Sequence, residues 1–342
     1  MVKKPTPSTK VSIEDVARLA GVSIATVSRV INKFPSVKEA NRKKVLEAIQ
    51  QLKFRPSVSA QRLASGKTNV IALVIPRYEG IFYSFYALEL LRGIGTLCDA
   101  LKLDLLLVLA DAHRPLNLSG VGGVIFADII GNRHQLENAL EERVPCVVIN
   151  NYVEDLDVGC IAVDNFKGAQ LAVNYLVNLG HKTIAHIAGD LVTQAATQRL
   201  EGYKTALKKK NLSPSEDYIV KTDYSRGQAR QAVEQLLSLP QPPTAIFSAS
   251  DSMALEAMAV AIEQGKKIPS DISIVGFDDN PQGLYGPVAL TTVRQPLIKM
   301  AQEGVKYLNQ LMTGKEKQFK KTLLETELVI RESCSHPKAT SI

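Results

Sequence analysis

From Val70 onward, short apolar runs alternate with segments whose apolar residues recur at helical spacing, and that alternation leaves few folds open. The strand candidates are Val70–Ile75, Leu103–Leu109, Gly123–Phe126, Cys146–Ile149 and Cys160–Val163, then Thr183–Ile187, Tyr218–Lys221, Ala245–Ser248, Ile272–Gly276 and Ala289–Val293. Between them Phe85–Ala100, Asn132–Glu142, Lys167–Leu179, Arg199–Lys210, Gly227–Leu237 and Ser252–Glu263 read as helices. Near-continuous Val/Ile/Leu strands separated by helices imply parallel sheets covered on both faces. Two such sets in tandem predict two doubly wound lobes, with a ligand bound beyond the carboxyl ends of the strands.

Residues 11–56 follow a different pattern and predict a small all-α unit. Ser12 is placed to cap a first helix, with Asp15 completing a capping box, and Ile13, Val16, Ala17 and Ala20 form its buried face. Gly21 suits the tight turn that follows, and Ser23 can cap a second helix. In that helix Val27, Val30 and Ile31 pack inward, leaving Ile24, Ala25, Ser28, Arg29 and Asn32 outside. A third helix carries Arg42, Lys43 and Lys44, with Lys53 and Arg55 close by, and an apolar stripe of Val45, Leu46, Ile49 and Leu52. Its expected serine or threonine cap is replaced by Val37-Lys38-Glu39, with Ser36 as a substitute.

Charge separates this region from the rest. The first 67 residues hold 14 basic and 4 acidic side chains, a net of +10, whereas the remainder holds 27 against 30. Solubility does not require that asymmetry; a polyanionic partner explains it. Residues 57–68 follow, where Pro56 ends the third helix, Ser57 can cap a short new one and Gly66 can close it. Eight or so residues are too few to hold a helix alone in water. This segment is expected to order only against DNA and a symmetry mate, with Ala60 permitting close approach and Leu63 as a wedge between base steps.

Residues 11–67 resemble the headpiece and hinge of the lactose repressor (LacI/GalR) family of bacterial transcription regulators. The resemblance continues in Leu179-Gly180-His181, Ala188-Gly189-Asp190, Arg199-Leu200-Glu201-Gly202-Tyr203, Ile274-Val275-Gly276-Phe277-Asp278-Asp279 and Leu290-Thr291-Thr292-Val293-Arg294-Gln295-Pro296, covering roughly residues 11–333. It implies a periplasmic-binding-protein-like core at 69–333 whose chain crosses between lobes three times. Lobe one would span about 69–164 and 296–318, lobe two about 165–295 and 319–333, flanked by a disordered 1–10 and a 334–342 tail. It also implies base reading by Ile24, Ala25 and Arg29, with Ser23, Thr26, Ser28 and Asn32 at phosphates.

For the effector, the resemblance singles out Arg199, Asp278 and Gln295, with Asp164 and Ser250 as weaker candidates. Asp164 can equally be structural, and at Ser250 a hydroxyl stands where relatives carry an amide. The loop after the first strand is unusual: Arg77, Tyr78 and Phe82 are candidate effector contacts, and Tyr83, Phe85 and Tyr86 complete five aromatics in nine residues. Arg77 either shifts preference toward an anionic or phosphorylated sugar or simply pairs with Glu79.

The expected function is therefore a sequence-specific transcription regulator, a repressor, that binds a near-palindromic double-stranded operator as a homodimer. A sugar, sugar derivative or sugar phosphate is the expected effector, with no other cofactor and no metal. Rival readings are an enzyme on a doubly wound fold and a solute-binding protein. Against the enzyme, no GxGxxG follows a strand, and Gly120-Val121-Gly122-Gly123 precedes one; HExxH, GxSxG and a phosphate-cradling Gly-Lys-Ser/Thr loop are absent. Against an exported carrier or a membrane protein, Met1-Val2-Lys3-Lys4 leads into a polar stretch and no apolar run reaches spanning length, so a cytoplasmic chain is expected. Cys98, Cys146, Cys160 and Cys334 lack paired short spacing, which suits reduced thiols rather than zinc. No leucine heptads follow Ser333, so a dimer is expected rather than a tetramer.

Overall fold

The computed structural model describes residues 11–31, 34–54, 68–77, 81–111 and 114–338. The chain divides after Thr68 into two compact units. The first contains α1 (Ile13–Ala20), α2 (Ile24–Ile31) and α3 (Glu39–Gln51). Ser12 Oγ accepts the Asp15 N–H at 3.2 Å while the Asp15 carboxylate accepts the Ser12 N–H at 2.9 Å, so the capping box closes. Gly21 then takes φ +65°, the left-handed turn that a side chain would oppose. Val16, Val27 and Val45 meet in the core, joined by Val30 and Ala48.

Two expectations for α3 fail. Leu46 lies outside the core and is exposed, because Ala48 is the residue that falls in phase with Val45. Ser36 does not cap the helix: Lys38 holds that position with no side-chain hydrogen bond. The missing cap costs about 1 kcal/mol.

The larger unit holds two six-stranded sheets. The first orders its strands β11-β5-β4-β3-β1-β2, from β1 (Val70–Ile75), β2 (Asp104–Leu109), β3 (Gly123–Ala127), β4 (Cys146–Ile149), β5 (Gly159–Val163) and β11 (Lys321–Leu324). The second runs β12-β10-β9-β8-β6-β7, from β6 (Ile184–Ala188), β7 (Ile219–Lys221), β8 (Ala245–Ser248), β9 (Ser273–Asp278), β10 (Thr291–Arg294) and β12 (Glu327–Val329). Every pairing is parallel except β10 with β12. α4 (Phe85–Leu101) and α10 (Leu297–Met312) pack on one face of sheet one, α5 (Arg133–Glu141) on the other. Sheet two is covered by α6 (Asn165–Asn178) with α7 (Gln194–Lys209) on one face, and α8 (Arg226–Leu237) with α9 (Asp251–Glu263) on the other.

The chain passes between sheets after β5, after β10 and after β11. The last passage lies further along than the expected 318/319 boundary: Lys321–Leu324 pairs with β5, so 319–324 belongs to lobe one. The expected tail is also partly structural. Ser333 Oγ bonds the Ile274 carbonyl, the Ser335 N–H bonds Ser273 Oγ, and Lys338 pairs with Asp271, which fastens 333–338 to the second lobe. Residues 1–10 and 339–342 lie outside the described residues.

Candidate functional site

In both sheets the strand ends carry polar residues in unusual backbone conformations. Asp128 follows β3 with φ +69°, Asn150 follows β4 with φ +67°, Tyr224 lies shortly beyond β7 with φ +65°, and Asp278 ends β9 with φ +139°. None is a glycine, and each such conformation costs on the order of 1–3 kcal/mol. Strain held at strand ends positions side chains in the cleft where open parallel sheets bind ligands. The lobes meet there. Gln194, at the start of α7, accepts the Tyr152 N–H at 2.7 Å and donates to the Tyr152 carbonyl at 3.0 Å.

Arg199 is the centre of the cluster. It is buried in α7; its Nε donates to Asn165 Oδ1 at 2.9 Å and its Nη1 to the Ala249 carbonyl at 2.5 Å. Its guanidinium also lies 3.8 Å from the centroid of the Phe277 ring, so three segments of lobe two fix its direction. Asp278 Oδ1 accepts from Gln295 Nε2 at 2.6 Å, and Asp128 Oδ1 in lobe one accepts from Asn150 Nδ2 at 2.7 Å. Tyr224 packs over Gly189, where an added Cβ would sit 1.9 Å from the phenol ring, so only glycine permits that approach. The charges of Asp128, Asp278 and Arg199 all bear on Tyr224, which ties both lobes into one electrostatic site.

Burial dominates the acidity of this site. It pushes Asp128 up to about 6, against the opposing pull of the Tyr86 hydroxyl, the Asn150 amide and the Arg199 charge. Asp278 is raised by burial too, with Arg199 the largest opposing influence. Asp251, beneath it, is raised by burial and further by the Asp278 carboxylate. Asp251 spends its own acceptors on the fold: Thr292 Oγ1 donates at 2.5 Å and the Asn280 N–H at 2.7 Å.

In the small unit, the Thr26 N–H donates to Ser23 Oγ at 3.2 Å, which starts α2. Val27 and Val30 are buried, which turns Ile24, Ala25 and Arg29 outward. Ile24 is 47% exposed on that face. Thr26 and Ser28 are half-buried at the margin of that face. Arg42 turns back to donate to the Phe34 carbonyl at 2.8 Å, while Lys43 and Lys44 are exposed. Asn32, Ala60 and Leu63 lie outside the described residues.

Known proteins match both units. Residues 12–57 match the family of bacterial regulatory proteins of the lacI type, and residues 173–334 match a periplasmic binding protein-like domain. The chain is 34% identical over 330 residues to the probable HTH-type transcriptional repressor ExuR of Bacillus subtilis, covering 94% of this chain and 98% of that protein. This chain belongs to the lacI family. Catabolite control protein A of Priestia megaterium is 36% identical over 311 residues, covering 88% and 92% of the two chains. Among solved structures, the lac repressor dimer bound to operator and the anti-inducer ONPF superposes with a TM-score of 0.82 at 28% identity, covering 96% of this chain and all of that one. A complex of the regulator CelR with cellobiose superposes at 0.72, also with 28% identity, over 94% and 99%.

In this lacI-family regulator the structure brings together Arg199, Asp278 and Gln295; of the other five candidates, four take helix-capping or surface positions and one lies outside the described residues. Asp164 caps α6 by accepting the Lys167 N–H at 2.9 Å. Ser250 caps α9 by accepting the Met253 N–H at 3.3 Å. Arg77 is largely exposed and lies 3.7 Å from Asp111, so its charge is partnered at the surface. Tyr78 lies outside the described residues, as does Glu79, and Phe82 is exposed in the short turn Ile81–Tyr83. Asp128, Asn150, Asn165 and Tyr224 complete the site, although no motif of the lacI family pointed to them. A polar residue directly after an apolar strand was the available signal for Asp128 and Asn150. Among the described residues, no group of three His, Cys, Asp or Glu is placed to hold a metal, and no helix is long and apolar enough to cross a membrane.

Proposed function

We propose that this regulator is a cytoplasmic homodimeric repressor whose grip on a near-palindromic operator is set by a small polyhydroxylated effector held between the lobes of its core. The cleft cluster carries this reading: Asp128 from one lobe and Arg199, Tyr224 and Asp278 from the other share one electrostatic site, so a ligand contacting all four senses the angle between lobes. The relatives support it, since CelR is known with cellobiose and the lac repressor with operator and anti-inducer together. Leu106, Leu107 and Leu109 on β2 and Leu88 and Leu101 on α4 are exposed on lobe one, and a second copy would cover some of them. Ile24 and Ala25 would meet thymine methyls, and Arg29 would pair with guanine.

Gel-shift titration on the DNA upstream of the chain's own coding sequence tests this, at two salt concentrations with and without neutral sugars. Specific, salt-sensitive binding that a sugar changes is the expected result. Arg29→Ala should change which sequences bind. Binding that ignores salt, sequence and every small molecule would overturn the proposal.

A further inference from the structure

We infer that the cleft is built to accept ligands rich in hydrogen-bond donors and to reject anionic ones, so that neutral sugars or nucleosides control this regulator and their phosphates or uronates do not. This rests on the effector reading above and adds the charge class of the ligand. Each lobe contributes the same device, an aspartate held by a side-chain amide. Asn150 gives its Nδ2 to Asp128, and Gln295 gives its Nε2 to Asp278. In both amides the oxygen is then left buried without a donor: among the described residues, Asn150 Oδ1 and Gln295 Oε1 have no hydrogen-bond partner. Flipping either amide does not help, because its oxygen would then face the carboxylate.

The unmet demand on both sides of the cleft is therefore for donors. Asp128 is bonded by the Tyr86 hydroxyl as well as by Asn150, and Asp278 by the Asp251 N–H at 3.4 Å as well as by Gln295. An ionised carboxylate offers about four lone-pair sites, so each keeps acceptors open. Vicinal hydroxyls or amino groups would satisfy the aspartates and the amide oxygens together. A carboxylate or phosphate offers few donors or none, and brings its own negative charge to two aspartates. Arg199 does not rescue it. Two of its nitrogens are committed to Asn165 and Ala249, Phe277 lies against its plane, and two carboxylates stand against its single charge. Among the described residues it is the one cation whose charge bears on Asp128, Asp278 and Tyr224. Arg77, the residue whose sequence position suggests an anionic ligand, pairs with Asp111 instead.

The test uses the full-length protein and inorganic phosphate as the anion probe, with melting temperature as the readout. Phosphate stabilises most proteins slightly by exclusion, so the informative quantity is the difference between proteins at equal ionic strength. Asp128→Asn/Asp278→Asn should gain more from phosphate than the wild type does, because two of the carboxylates that oppose Arg199 are then neutral. The single variant Asp278→Asn serves if the double variant does not fold. Equal gains in variant and wild type would overturn the inference. Calorimetry with matched pairs adds a second arm: glucose against glucose 6-phosphate and glucuronate, and cytidine against its 5′-monophosphate. Whichever neutral compound binds, its anionic partner should bind about tenfold or more weakly, as one unpaired buried contact requires. An anionic member binding as tightly as its neutral partner overturns the inference while leaving the effector reading intact. Operator binding that no ligand alters overturns the effector reading, and the phosphate difference is still read independently.

Discussion

Asp128 shows what a single cleft residue costs the fold. Its folded carboxyl is pushed up to about 6 from an ordinary value of 3.8, with burial as the main cause and Tyr86, Asn150 and Arg199 opposing it. The native state therefore holds this proton more tightly than the unfolded chain does. Stability from the protonated form is complete below the unfolded value and disappears as pH rises through about 6. The whole effect is at most about 3 kcal/mol. Asp128→Asn removes that titration. The variant's stability relative to wild type, read by urea unfolding, should rise between about pH 4 and about pH 7 by up to that amount. A difference that does not change with pH would mean that Asp128 is solvated. The sequence made Arg199, Asp278 and Gln295 legible because they lie in motifs long enough to be recognised. Asp128 and Asn150 sit in Phe126-Ala127-Asp128 and Ile149-Asn150-Asn151, which carry no such motif. Their importance comes from a pairing between strands, which no local pattern displays.

Elements were legible wherever burial was two-sided. β1, β4 and β8 match their expected bounds because both faces are buried and their sequences are apolar throughout, apart from the terminal Ser248 of β8. β11 and β12 were not expected, since both are short strands at sheet edges with no fully buried side chain. The expected set of helices also omits α10, although Leu297, Met300, Ala301, Val305 and Leu308 recur at helical spacing. α7 begins at Gln194, five residues before the expected start, because Thr193 caps it by accepting the Ala196 N–H at 3.2 Å. That early start matters, since it places Gln194 against Tyr152 and joins an α7 terminus to the segment after β4. Two hydrogen bonds to the backbone of one residue hold the lobes at this angle and break together if the cleft opens. Gln194→Ala removes both, at about 0.5–1.5 kcal/mol each. Small-angle scattering of the ligand-free variant should give a larger radius of gyration than wild type, and effector affinity should fall with it. An unchanged radius and unchanged affinity would show that the cleft polar cluster alone sets the closed angle.

At the scale of the whole molecule, charge and stoichiometry are linked by one measurable quantity. The first 67 residues carry a net +10 and the remaining chain is net negative, so affinity for any duplex resides in the amino-terminal unit and is governed by counterion release. For such binding the logarithm of affinity falls linearly with the logarithm of salt, at about 0.9 for each phosphate neutralised. Lys43 is exposed on α3 beside the outward face and can make one such contact per subunit. A homodimer on a near-palindrome makes it twice. Lys43→Ala should therefore flatten the salt slope by about 1.8 in a dimer, against about 0.9 if a single headpiece grips the duplex. The variant should also weaken specific and nonspecific sequences alike, because a phosphate contact positions the protein without reading bases. Fluorescence anisotropy on a labelled operator at several salt concentrations gives both slopes. A change near 1.8 would place two copies of the headpiece on one operator, a change near 0.9 would exclude the symmetric dimer, and no change would remove Lys43 from the backbone altogether.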